Sequence, residues 1–166
     1  MLIVSSLEAA VKAYAAFRPA RVISLLSDDE SAPQFGDLPP ERHLSLYVER
    51  ESCCETIKAA ARARAEEIVS FVREWDGAGD ILIHCNRGVA RSTAAAYIIL
   101  CMRAAAVSEA EHAIRLRKAA PYADPCPLLV SYADNLLGRG GRMIEAIEDL
   151  PPPCPAISAP LLTLPL

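Results

Sequence analysis

The 166-residue chain has no apolar run long enough to cross a bilayer. Its longest, Ala94 to Met102, is far short of the roughly 20 residues that a spanning helix needs. It also lacks charge excess of either sign: the net charge is −4 and the pI near 5.4, which gives the whole chain no electrostatic basis for nonspecific binding to nucleic acid or an anionic membrane. Paired Cys-x-x-Cys spacings are missing, so the six cysteines, at 53, 54, 85, 101, 126 and 154, follow neither a zinc pattern nor a secretory disulfide framework. With no signal-like segment before them they read as reduced thiols of a cytoplasmic protein. No internal repeat is present. What remains is one domain over residues 1 to 150, of a size that buries about 70% of its unfolded surface, and a proline-rich tail over residues 151 to 166.

The informative stretch is Ile81-Leu82-Ile83-His84-Cys85-Asn86-Arg87-Gly88-Val89-Ala90-Arg91-Ser92-Thr93. A short apolar run stops at a cysteine, passes through a loop holding one glycine, and re-emerges as an alanine-rich helical segment. Five residues separate Cys85 from Arg91, enough for the loop Asn86, Arg87, Gly88, Val89 and Ala90 to curl around one tetrahedral anion with its N–H groups inward. Each residue type suits phosphoryl chemistry. A thiolate is a strong nucleophile and forms most readily beside a helix N-terminus and a fixed cation. Arginine offers a planar fork that grips two phosphoryl oxygens, where lysine would offer a point charge. Ser92 can hydrogen-bond the sulfur and help it leave a phosphocysteine. A buried thiol and a solvated arginine would explain either residue alone, but not strand, loop and helix start together.

At these residues the chain resembles the cysteine-dependent protein tyrosine phosphatases, in particular their small dual-specificity-like branch. The likeness to a compact bacterial group of tyrosine-phosphatase-like proteins continues through Trp75, Ala94-Ala95-Ala96, Arg115-Leu116-Arg117, Ala133-Asp134 and Leu137-Gly138-Arg139-Gly140-Gly141-Arg142-Met143, covering roughly residues 20 to 150. The resemblance implies a phosphomonoesterase that uses no metal and no cofactor, with Cys85 as nucleophile, Arg91 as phosphate clamp, and a phosphorylated protein or small phosphomonoester as partner. The sequence departs from the family where an acid aspartate is expected, about thirty residues before the cysteine. There it reads Val48-Glu49-Arg50-Glu51, with Arg50 at or beside the acid position. Glu51, then Glu49, is the replacement a longer carboxylate allows. Asp124, in Tyr122-Ala123-Asp124-Pro125, is a second candidate, although Asp before Pro is commonly a capping turn. Asp28, Asp29 and Asp37 are more distant loop acids. A protein with no efficient acid would instead be a phosphate-binding pseudophosphatase. Sulfur transfer on a cysteine loop is disfavoured by the Arg-Ser-Thr that follows.

Periodicity predicts the rest. An edge strand over 2 to 4 precedes a helix from Ser6 to Phe17, with Ser6 as N-cap. Strands follow over Arg21 to Leu26, His43 to Val48 and 80 to 84, and a long helix runs from about Cys54 to Trp75. Helices over Ser92 to Ala105, Ser108 to Ala119, Pro127 to Leu137 and Arg142 to Asp149 complete a small, mainly parallel α/β sheet flanked by helices, with the cysteine at the carboxyl end of a central strand. The tail reads as disordered or loosely docked. His84 points away from the cysteine side, and Arg87 either faces solvent or adds charge at the mouth of the site.

Overall fold

The computed structural model describes residues 1–47 and 55–166. Five strands form one sheet in the order β3-β2-β4-β1-β5: β1 is Leu2–Ser6, β2 Arg21–Leu26, β3 His43–Tyr47, β4 Ile81–Cys85 and β5 Leu162–Leu164. β1, β2, β3 and β4 are parallel, and β5 runs antiparallel to β1. The helices are α1 Leu7–Phe17, α2 Glu55–Arg73, α3 Arg91–Arg103, α4 Glu109–Ala119, α5 Pro127–Leu136 and α6 Arg142–Glu148. Ser6 caps α1 by accepting from Ala9 N, and Ser108 caps α4 by accepting from Glu111 N.

Alternation along β4 divides the core. Ile81, Ile83 and Cys85 face the large apolar cluster under α2, α3 and α5, while Leu82 joins Ile3 and Val22 beneath Tyr14 of α1 and Phe35. α3 is buried along nearly its whole length, which its alanines permit by letting it lie close to the sheet. The Ala133-Asp134 and Gly138-to-Met143 motif does structural work. Buried Asp134 accepts from Gly141 N at 2.7 Å and Met143 N at 2.8 Å, and Glu109 pairs with Arg139 and Arg142, so the motif locks the start of α6 onto α4 and α5.

Two expectations are corrected. Residues 2 to 4 are not at the edge, because β5 pairs beside them, Leu2 with Leu164 and Val4 with Leu162. The tail is therefore not loosely hung: Leu162 and Leu164 are buried and Thr163 between them is exposed, an amphipathic alternation too short to register between prolines. The end of the predicted 43-to-48 strand, Val48, lies outside the described residues, as do Glu49, Arg50, Glu51, Cys53 and Cys54.

Candidate active site

β4 lies between β2 and β1, with Cys85 level with Leu25 and Ser6, so the last residue of the strand opens at the carboxyl edge of the sheet. The chain then turns through 86–90 and enters α3 at Arg91. Gly88 makes that turn possible: its φ is 73°, and a Cβ there would sit 2.9 Å from Ser5 C and Ser6 N. Thr93 closes the loop from the helix side by donating to the carbonyls of Val89 and, at 3.0 Å, Ala90. The N-cap residue Ala90 supplies no side-chain cap, so the first-turn N–H groups of α3 are not taken by their own cap.

Cys85 Sγ is buried and 3.1 Å from Ser92 Oγ, with either atom able to donate. A cavity of about 540 Å3 opens over it, lined by Cys85, Asn86, Arg87, Val89, Ala90, Arg91 and Asp124. The arrangement places a thiol, a hydroxyl, a guanidinium and a helix N-terminus around one space. Solved structures match this chain over most of its length: Cydia pomonella PTP-2 phosphatase (20% identity, 81% of this chain and 84% of that one, TM-score 0.60), human DUSP28 (22%, 84% and 95%, 0.56) and DUSP15 (15%, 90% and 92%, 0.61). The chain has the fold of the cysteine-dependent tyrosine and dual-specificity phosphatases. No family model and no curated protein sequence matches it.

Within this phosphatase fold, the residues singled out from the sequence fall into three groups. Cys85, Arg91 and the loop from Asn86 to Ala90 line or form the cavity, and Ser92 sits beneath it against the sulfur. Asp124 joins them from the loop after α4: its N–H donates to Val89 O at 3.0 Å, and Cys126 N donates to Ala90 O at 3.3 Å, tying the two loops together. Asp124 is not the capping residue of α5, since Cys126 holds the N-cap position, without a side-chain capping bond. Glu51 and Glu49 lie outside the described residues. Asp37 is committed elsewhere, to Tyr14 and Arg18.

The side chains of Asn86 and Arg87 have partners that the sequence did not suggest. Asn86 Nδ2 donates to Glu30, whose other oxygen accepts from Ser27 N at 2.7 Å. Arg87 is exposed and lines the cavity, and it is also tied to the tail: its Nε donates to Ile157 O at 2.6 Å and its Nη2 to Ala156 O, while Ala159 N donates back to Arg87 O at 2.8 Å. Glu30 and the tail were missed because they meet the loop from 56 and 70 residues away, with no periodic signal.

His84 is an ordinary packed histidine in its surroundings but not in its titration. It lies on the opposite face from Cys85, with Nε2 2.6 Å from Ser24 Oγ, which in turn is 2.8 Å from His43 Nε2. Among the described residues Nδ1 is buried without a partner, and a bare lone pair costs less than a bare N–H, so Nε2 is the protonated nitrogen. Burial, and secondarily the charge of His43, pushes the ring down from 6.5 to about 4. Above pH 6.5 the group is neutral folded or unfolded; between 6.5 and 4 the unfolded chain takes up a proton that the folded chain refuses. Stability is therefore full above that window and is lost as pH falls through it, by roughly 2 kcal/mol at pH 5. Urea midpoints at pH 7 and pH 5 will read this, with a smaller drop in His84→Gln; an equal drop in the variant would assign the effect to other groups.

Proposed function

We propose that the chain is a phosphomonoesterase of the protein tyrosine phosphatase type, acting on a phosphorylated protein or small phosphomonoester. Cys85 thiolate attacks phosphorus; the S–P bond forms as the ester P–O bond breaks, and a carboxylic acid protonates the departing oxygen. Water then attacks the phosphocysteine and gives its proton to the carboxylate left by the first step; a new P–O bond forms as the S–P bond breaks, and sulfur leaves with Ser92 donating to it. Arg91 and the N–H groups of 86–90 and of the α3 start hold the equatorial oxygens, whose charge is spread in the transition state. The observation that carries the reading is the Cys85 sulfur at 3.1 Å from Ser92 Oγ on the floor of a cavity walled by the loop and Arg91. No step calls for a metal or cofactor.

Two carboxylates compete for the acid. Glu51 is the sequence's replacement for the family's aspartate; Asp124 has the support of lining the cavity and of a backbone tie to Val89. The second reading, a pseudophosphatase that binds phosphorylated partners, draws on Arg50 standing where the acid is expected.

Arg91→Lys tests the clamp. The variant keeps a charge and loses the fork, so turnover of an aryl phosphate should fall about 10²-fold, the size of losing an oxyanion donor, and vanadate should inhibit more weakly. Unchanged turnover and vanadate inhibition would remove Arg91 from the mechanism.

A further inference from the structure

The tail builds something beside the phosphate loop. A second cavity of about 520 Å3 is lined by Leu7, Glu8, Asn86, Arg87, Ile157 and Ser158, and it shares Asn86 and Arg87 with the cavity over Cys85. Ile157 is 91% exposed, the most exposed large apolar side chain among the described residues. Its backbone is nevertheless pinned on both sides. Arg87 holds the carbonyls of Ala156 and Ile157, Ala159 N donates to Arg87 O, Cys154 N donates to Pro121 O at 2.9 Å, and Tyr122 Oη donates to Pro160 O at 3.0 Å. Ala159 is itself buried against Gly88, and β5 anchors the chain three residues on. An isoleucine left in water on a fastened backbone loses little backbone entropy when something covers it.

We propose that this cavity is a substrate subsite that takes an apolar side chain adjacent to the phosphorylated residue of a protein substrate. The inference rests on the reading of the Cys85 cavity as the phosphate site. The shared residues make the two cavities neighbours, so a peptide with its phosphate over Cys85 brings a flanking residue against Leu7 and Ile157. Glu8 on the wall opposes an acidic side chain there. Arg87 turns its Nε and Nη2 to two tail carbonyls, so that edge of its guanidinium is directed at the tail.

The test uses the full chain carrying Cys85→Ser, which binds without turning over, and fluorescent phosphotyrosyl peptides that differ only in the residues flanking the phosphotyrosine: leucine, alanine or glutamate. Polarisation should give the leucine peptide a Kd about fivefold below that of the alanine peptide, the effect of burying part of one leucine side chain. The glutamate peptide should bind more weakly than either. Ile157→Asp should bring the leucine-to-alanine ratio to about one, and Ile157→Leu should keep it. Equal affinities for leucine and alanine peptides, or a preference that survives Ile157→Asp, would overturn the subsite. Absence of any phosphate-dependent binding would overturn the phosphate site and the subsite together. A leucine preference in a protein whose unsubstituted form hydrolyses no peptide would leave the subsite standing and remove only the phosphatase.

Discussion

Cys85→Ser is expected to abolish phosphate ester hydrolysis, a loss of at least about 10⁴-fold, because a serine hydroxyl at this position is a far weaker nucleophile than a thiolate and would need a base to activate it. His84 cannot serve as that base. It lies on the other face of β4, bonded to Ser24, and burial keeps it neutral at physiological pH. Binding should survive, since the exchange changes one atom on the cavity floor and leaves Arg91, the loop N–H groups and the α3 start in place. Isothermal titration of inorganic phosphate or vanadate into the variant will measure that. Residual turnover comparable to the unsubstituted protein would exclude covalent catalysis by Cys85. Loss of both turnover and phosphate binding would instead make the sulfur part of the binding site.

The second large effect concerns the proton donor. A poor leaving group such as an alkyl or unactivated phenolic phosphate needs protonation as it departs, and a positioned acid supplies about 10² to 10⁴ in rate. An activated aryl phosphate leaves as a stable anion and needs little help. Replacing the acid by its amide should therefore slow the first substrate by that factor, slow the second far less, and flatten the alkaline limb of the pH profile. Glu51→Gln and Asp124→Asn separate the candidates. Asp124 lines the cavity and its N–H is tied to the 86–90 loop at Val89, so a leaving-group-dependent loss in Asp124→Asn would make the later loop the source of the acid. The same loss confined to Glu51→Gln would restore the family's arrangement with a longer carboxylate. If neither variant, nor Glu49→Gln, shows it, and turnover of activated esters is slow, the chain is a phosphate-binding module.

The parts of the molecule that the sequence disclosed are those whose signals are local. The run Ile81 to Thr93 encodes strand, turn and helix start in thirteen consecutive residues, and the spacing of Cys85 from Arg91 is itself the geometry of the loop. Strand β2 runs Arg21–Leu26 as its apolar run predicts, and α3 to α6 begin or end within two residues of their periodic signals. Contacts between distant segments were not legible. Asn86 finds Glu30 in a loop of Asp, Pro, Ser and Gly whose composition says only that it turns. Arg87 finds the carbonyls of Ala156 and Ile157, which any residues could have supplied, because backbone acceptors leave no trace in side-chain identity. β5 escaped for a related reason: three residues, Leu162 to Leu164, are too few for a period, and their pairing is specified by the unfilled edge of β1 rather than by their own propensity. Asp124 is a candidate that the sequence offers; its backbone tie to Val89, 35 residues away in the chain, leaves no local signal.

A phosphoryl group carried on Cys85 can be caught during turnover. The protein is mixed with an aryl phosphate, quenched in acid within the first turnover, digested and analysed by mass spectrometry. A phosphoryl adduct is expected on the peptide that spans Cys85, formed in a burst with the released phenol and absent from Cys85→Ser. Steady turnover with no adduct on that peptide, or an adduct that persists in Cys85→Ser, would contradict it.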